Sequence, residues 1–181
     1  MAWAFGKISS SILDDAIVSK KAPKTNAARQ LDQLRISYEL REYEIDPEHL
    51  EAELVAEKIG LPPEQVFKTL LAIGDQSGPC FAVISADSEL DLKALAFETG
   101  NRKIHLAALK DVQPLTGYIR GGVTALACKK PFPVIVDSSA DAFEVISVSA
   151  GVRGTQILLR PGDYIRAVDG TSASISRKKQ T

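Results

Sequence analysis

Lys68 interrupts the apolar run Val66-Phe67-Lys68-Thr69-Leu70-Leu71-Ala72-Ile73, which otherwise reads as a buried strand. An ammonium is costly to bury unless it is paired, lines a cleft or reaches water along its own stem. Further along, Gly117-Tyr118-Ile119-Arg120-Gly121-Gly122 supplies a backbone able to approach another group closely. The cluster Ser147-Val148-Ser149-Ala150-Gly151-Val152-Arg153-Gly154 permits turns with positive φ. Successive N–H groups in such a loop can cradle an anion or a carbonyl, and Ser149 adds a hydroxyl. Taken singly, each feature has a plain structural reading. Lys68 is equally a strand-start lysine with its head in water, the glycine cluster equally a turn, and Tyr43 equally a core aromatic or a pocket wall. Together they point to a pocket for a small anionic or carbonyl-bearing group.

Other chemistries are disfavoured by what is missing. The chain has no GxSxG elbow, no Walker loop and no GxGxxG after a strand. Its two histidines, His49 and His105, lie far apart, and Cys80 and Cys128 lack metal-finger or CxxC spacing. No metal and no cofactor are therefore expected, and both cysteines read as small core residues in a reducing compartment. A formal net charge of -1 over 181 residues argues against the broad basic field of a general nucleic-acid binder. Local basic patches would suffice for a protein that touches one end of an RNA. No apolar run approaches the length of about eighteen residues needed to span a membrane, and the start lacks a secretory pattern. A cytoplasmic protein is expected.

The elements that must hold these residues suggest one domain with an ordinary core, 45% of the residues being hydrophobic and 25% charged. Residues 1–23 look peripheral, residues 24–170 form the globular part, and residues 171–181 have the small polar composition of a flexible tail. A first helix starts at Thr25 or Asn26 and runs through Ala27, Leu31 and Leu34. A strand follows from Ile36 to Ile45, with a bulge where its alternation changes phase. Asp46-Pro47 opens a second helix through Leu50, Leu54, Val55 and Ile59, stopping at Gly60. The Lys68 strand and residues 80–85 form a hairpin across the loop 74–79. Asp91 caps a third helix, strands are expected over 133–136, 143–148 and 155–159, and Pro161-Gly162-Asp163 leads into a short last helix. Helices alternating with hairpin-linked strands give an α+β class: a mixed, largely antiparallel sheet or partial barrel flanked by helices.

Four segments in order carry a resemblance: Val66 to Leu71, Leu90-Asp91-Leu92-Lys93, Thr116 to Gly122, and Val148 to Gly154. Their order and spacing resemble the YbaK/EbsC family of aminoacyl-tRNA deacylases, relatives of the inserted editing domain of bacterial prolyl-tRNA synthetases. The resemblance runs from about Lys24 to about Val168. It implies a small YbaK-like α+β fold that hydrolyses the ester joining a wrong amino acid to tRNA. It places Lys68 at the catalytic position, with Tyr43, Thr69, Gly121, Gly122, Ser149 and Gly151 as substrate-binding residues. The chain departs from the family pattern at Ala125, where proline is usual, at Gln156, where an acidic residue is usual, and at Ile45, where a histidine is often seen. The first bears on loop shape and the second on amino-acid preference.

An ester is already activated, so its hydrolysis needs positioning and oxyanion stabilisation more than a strong protein nucleophile. Lys68 can offer a charged donor, and the glycine loops can offer backbone N–H groups. Where the amino acid is cysteine, the closest members of the family suggest attack by the substrate's own thiol; otherwise an ordered water attacks. The expected activity is trans-editing of Cys-tRNA(Pro), with Ala-tRNA(Pro) as the next candidate. A non-catalytic module that binds and regulates a tRNA synthetase is the reading from another class. The expected partners are the acceptor end of tRNA(Pro) and, as a candidate, prolyl-tRNA synthetase.

Overall fold

The computed structural model describes residues 24–179, so the peripheral segment expected over 1–23 lies outside the described residues. Five short helices surround three sheets. The first helix, α1 (Asn26–Gln33), is capped by Thr25, whose hydroxyl accepts from the Ala28 N–H at 3.2 Å. Of its buried residues Ala27, Ala28 and Leu31, the first and last pack into the main core.

The hairpin is present: β2 (Phe67–Gly74) pairs antiparallel with β3 (Gly78–Ser85) along its whole length, Lys68 lying opposite Ile84. The outer edge of β2 pairs with β5 (Ile104–Leu106) only through Ala72, Ile73 and Gly74. On the other flank, β6 (Val134–Asp137) lies parallel to β3, and β9 (Thr171–Ala173) lies parallel to β6. This five-stranded mixed sheet buries apolar residues on both faces, as residues on alternate positions of β2 show. Phe67 and Leu71 enter the core that holds Tyr164 and Phe81, while Leu70 and Ala72 pack with Ile84, Leu95 and Ile135.

A second sheet is antiparallel, in the order β1 (Glu39–Glu42), β8 (Thr155–Leu159), β7 (Ile146–Ser149). It touches the large sheet at one parallel bridge, Val66 to Ser147, without closing a barrel. A two-stranded ribbon, β4 (Ser88–Leu90) with β10 (Ser176–Lys178), completes the set. Among the described residues no helix is long and apolar enough to cross a membrane.

Several expectations shift in detail. The strand expected over 36–45 is reduced to Glu39–Glu42, because only those residues find partners on β8. Asp46-Pro47 does not start the second helix: α2 runs Ala52–Ile59 with Glu51 at its N-cap. The Asp46 carboxylate instead accepts from the Glu48 N–H at 3.1 Å and meets the His49 ring at 2.8 Å, closing a local turn. The helix ends as expected on Gly60, at φ 70. The strand expected from residue 143 begins at Ile146, after a 3-10 turn over Ser138–Ala142. The expected third helix is α3 (Leu92–Glu98), with Asp91 accepting from the Lys93 and Ala94 N–H groups. The sequence reading has no helix at α4 (Leu109–Thr116), which tolerates Pro114 inside it. The last helix is α5 (Pro161–Ala167).

The largest correction is at the C-terminal end. The segment read as a flexible tail from Thr171 contains β9 and β10. Its composition is small and polar, but Ile175 between the two strands is fully buried against Ile84 and Ile135. One buried isoleucine and two sheet partners are enough to order it.

Candidate active site

A cleft of about 580 Å³ opens where the two larger sheets part along the edge of β2. Lys68, Thr69, Gly121 and Ser149 all line it, so four of the residues singled out in the sequence come together in space. Apolar side chains, among them Leu71, Val112 and Val123, form much of the remaining wall.

Lys68 is half-buried and tethered. Its Nζ donates to the carbonyl of Ala86 at 3.1 Å and to the carbonyl of Ser88 at 2.8 Å. An ammonium has three donors, so one remains for a ligand in the cleft. Burial pushes the Lys68 pKa below its ordinary value of 10.5, with nearby Asp87 and Glu89 pulling it back up. The charge is therefore held in place without a direct carboxylate partner, and it keeps its field for the cleft.

Thr69 contributes through its backbone. Its hydroxyl is buried beside the Tyr164 hydroxyl in the core, where burial raises the Tyr164 pKa and the Thr69 hydroxyl partly offsets that rise. The Ala107 N–H donates to the Leu71 carbonyl at 2.9 Å, so Leu71 points its polar groups toward the β5 side. In an extended strand the residue two positions earlier points the same way. The N–H and C=O of Thr69 thus face the stretch of edge between the Val66–Ser147 bridge and β5, which no strand occupies among the described residues.

On β7 and β8, Ser149 sits directly opposite Gln156, and both line the cleft. Ser149 Oγ accepts from the Gly151 N–H at 3.2 Å, which leaves the hydroxyl proton free to donate. Gln156 is buried, and its Oε1 accepts from Ser147 Oγ at 3.0 Å. Its amide nitrogen makes no hydrogen bond to the described residues and is open to the cleft. The departure noted at this position thus sits in the cleft wall, whereas Ala125 is buried in the main core away from it.

The glycines divide by role. Gly121 lines the cleft at φ 88. Gly122 is buried behind it, and a Cβ there would meet the backbone of Val152 and Arg153 at 3.2–3.3 Å. Gly151, also at φ 88, faces the Tyr118 ring, which a Cβ would reach at 2.9 Å. The two loops are cross-tied by Arg153 Nε, which donates to the Arg120 carbonyl at 2.8 Å. Tyr118 is fixed by donating to the Leu126 carbonyl at 2.7 Å, and burial pushes its phenol up to about 12. Gly122 and Gly151 therefore sit one layer behind the cleft surface. Tyr43 is not brought to the cleft: it packs against Ala56, Ile59 and Val66, behind α2.

The sequence reading missed Arg120, Glu53 and Lys179 in the cleft wall. Arg120 was visible inside the diglycine segment. Glu53 and Lys179 were not, because an ordinary helix-surface acid and a terminal lysine carry no local signal.

The aminoacyl-tRNA editing domain family matches residues 46–167 of this chain. A protein of Enterococcus faecalis, EbsC, described by its name as a Cys-tRNA(Pro)/Cys-tRNA(Cys) deacylase, is 42% identical over 160 residues, spanning 88% of this chain and 98% of that one. The chain belongs to the aminoacyl-tRNA editing domain family, and with it to the aminoacyl-tRNA deacylases, a group of hydrolases. The Ser/Thr-tRNA deacylase ProXp-y of Escherichia coli is 28% identical over 86 residues, 47% of this chain and 52% of its own length. A solved structure described as a trans-editing enzyme for prolyl-tRNA synthetase shares the fold, with a TM-score of 0.71 and 20% identity over 85% of this chain and 98% of its own.

Proposed function

We propose that the chain removes wrongly attached amino acids from tRNA in trans, with Cys-tRNA(Pro) as its main substrate. The observation that carries this is the cleft itself: a space of about 580 Å³, room for an aminoacyl group with its terminal ribose, in which Lys68, the Thr69 backbone edge, Ser149 and Gln156 converge with no cysteine or histidine in the wall. Its family and its likeness to EbsC support the same reading.

The chemistry asks little of the protein beyond placement. The ester enters with its carbonyl toward the free donor of Lys68 and the Gly121 turn, whose dipoles stabilise the developing oxyanion. For a cysteinyl ester, the substrate's own sulfur attacks that carbonyl. A cyclic thioester forms, the terminal ribose oxygen leaves and takes the thiol proton, and water then opens the thioester. For other amino acids a water held by Ser149 attacks. In this reading the editing domain proper is residues 24–170, it works in the cytoplasm where charged tRNA circulates, and prolyl-tRNA synthetase is the partner that supplies the mischarged product.

The test is a deacylation panel with Cys-, Ala-, Ser- and Pro-tRNA(Pro), run with and without the synthetase. Cys-tRNA(Pro) should be hydrolysed fastest and Pro-tRNA(Pro) spared. Saturable tRNA binding with no ester lost from any member would replace this reading with the non-catalytic module.

A further inference from the structure

Lys179 lines the cleft although the family match ends at residue 167. The segment that carries it is firmly held. The Ile175 N–H donates to Asp137 Oδ2 at 2.9 Å, and the Ile175 carbonyl accepts from the Asp91 N–H at 2.8 Å. Burial alone would push the Asp137 carboxyl up, but hydrogen bonds from Ser139, Ile175 and Ser176 hold it below its ordinary value, as an anion. From there β10 runs along β4, with Lys178 opposite Ser88. Ser88 is also the residue whose carbonyl receives Lys68 Nζ. The strand therefore delivers Lys179 past the turn that tethers Lys68, to the exposed margin of the cleft.

There the Lys179 ammonium pairs with Glu53 of α2. The neighbouring cations are engaged elsewhere, Arg177 with Glu89 at 3.8 Å and Lys178 with Asp87 at 3.4 Å. The Lys179 and Glu53 side chains are 40% and 38% exposed, so their attraction is screened and readily exchanged. The charged residues of the cleft wall are Lys68, Arg120 and Lys179 against Glu51 and Glu53. Lys68 is tethered by two carbonyls deeper in, with its remaining donor turned to the cleft, whereas Lys179 is tied to the wall through an exposed acid alone. An RNA whose terminal ester enters this cleft brings its last phosphates to the cleft rim, where Lys179 is exposed. With a formal net charge of -1, the chain has to draw them by local charge.

We infer that Lys179 is a further substrate-binding residue, pairing with Glu53 when the cleft is empty and with a phosphodiester of the RNA acceptor end when it is filled. This rests on the editing reading for its ligand. It extends the site beyond the editing domain proper, onto a strand that follows it.

The experiment measures binding of a labelled, uncharged acceptor-stem hairpin ending in CCA to the full chain across a range of KCl concentrations. Lys179→Gln should weaken binding about two- to fivefold at low salt. It should also flatten the slope of log affinity against log salt by about 0.7, the share of one single-strand phosphate contact. Glu53→Gln should tighten binding with the slope kept, because the competing carboxylate is gone. In deacylation, Lys179→Gln should raise KM and leave kcat. An unchanged affinity and slope in Lys179→Gln, a wild-type protein that does not bind the hairpin, or a Glu53→Gln protein that binds no tighter would each overturn the inference. A lower melting temperature with the wild-type slope would do the same, since that is the mark of a purely structural lysine. Hairpin binding without hydrolysis of any ester would leave Lys179 standing and remove the catalytic reading instead.

Discussion

Strand β2 brings Lys68 and Thr69 to the cleft on a backbone paired along its full length with β3, whereas the facing side is two glycine turns held mainly by each other. On the sheet side the polar groups are fixed by the strand and then pinned again, Lys68 by two carbonyls and Gln156 by Ser147. On the loop side the glycines mostly serve the fit of one loop on the other, and only Gly121 reaches the cleft surface. Both sides stood out in the sequence, yet for different physical reasons. A lysine in an apolar strand needs polar partners, and Lys68 finds two carbonyls while keeping one donor for the cleft. A glycine records only that something comes close, and here that something is usually another loop.

The sharpest way to break this contrast is Lys68→Ala. Loss of a charged donor aimed at a developing oxyanion costs on the order of 10²–10³ in turnover. Lys68 also satisfies the carbonyls of Ala86 and Ser88, both buried residues, so the variant should lose about 1–3 kcal/mol of stability and still fold. A folded Lys68→Ala protein that deacylates Cys-tRNA(Pro) at the wild-type rate would remove the sheet side's claim to the chemistry.

Gln156 tests selectivity on the same side. Gln156→Glu keeps the length and the hydrogen bond from Ser147, but replaces the free N–H facing the cleft with a second acceptor. The ratio of kcat/KM between Cys- and Ser-tRNA(Pro) should move by about tenfold, within the 1–3 kcal/mol that one pocket contact provides. The melting temperature should fall somewhat, since a carboxylate with one hydrogen-bond donor replaces a neutral amide at a buried position. An unchanged ratio across the panel would show that Gln156 lines the cleft without reading the amino acid.

The pH profile follows from the burial of Lys68. Its pKa is lowered in the fold, so between that lowered value and 10.5 the unfolded chain binds more protons than the native one. Stability therefore gains from this group as pH rises through that window, while the charged donor is being lost. Deacylation, corrected for spontaneous alkaline hydrolysis, should decline at a pH below 10.5. Lys68→Arg stays charged there and should keep whatever rate it has. An identical alkaline limb in both proteins would assign that limb to the substrate.

How much of this was legible in the sequence depended on how local the cause was. The β2–β3 hairpin, the Asp91 cap and the Gly60 stop are each set by neighbours in the chain, and each appears as expected. The Asp46-Pro47 start failed because the carboxylate found a nearer use in a turn with Glu48 and His49. Strands β4, β5 and β10 have three residues each, too few for alternation to declare itself. The open edge of β2 is a tertiary fact, created by where β5 and β7 stop, and nothing in Thr69 itself announces it. Tyr43 shows the converse: an aromatic with a polar handle reads as a pocket wall, but the position of α2 decides which face it meets.

The diglycine provides the last and smallest test on turnover, because the structure separates its two members. A Cβ at Gly122 would press on the Val152–Arg153 backbone at 3.2–3.3 Å, contacts that cannot rotate away. Gly122→Ala should therefore cost about 1–3 kcal/mol of stability through overpacking. At temperatures where it remains folded, its turnover should fall only modestly, since the added methyl points away from the cleft. At Gly121 a Cβ would meet the flexible ends of Arg153 and Leu50 at 3.2–3.4 Å, but the residue holds φ +88. Gly121→Ala should cost a similar 1–3 kcal/mol or so through backbone strain, with the larger loss in kcat because the turn that lines the cleft is the part distorted. Paired melts and Cys-tRNA(Pro) deacylation rates decide the matter. If Gly122→Ala melts like wild type yet loses more turnover than Gly121→Ala, then Gly122 itself approaches the substrate, and the loop side does chemistry that its packing does not reveal.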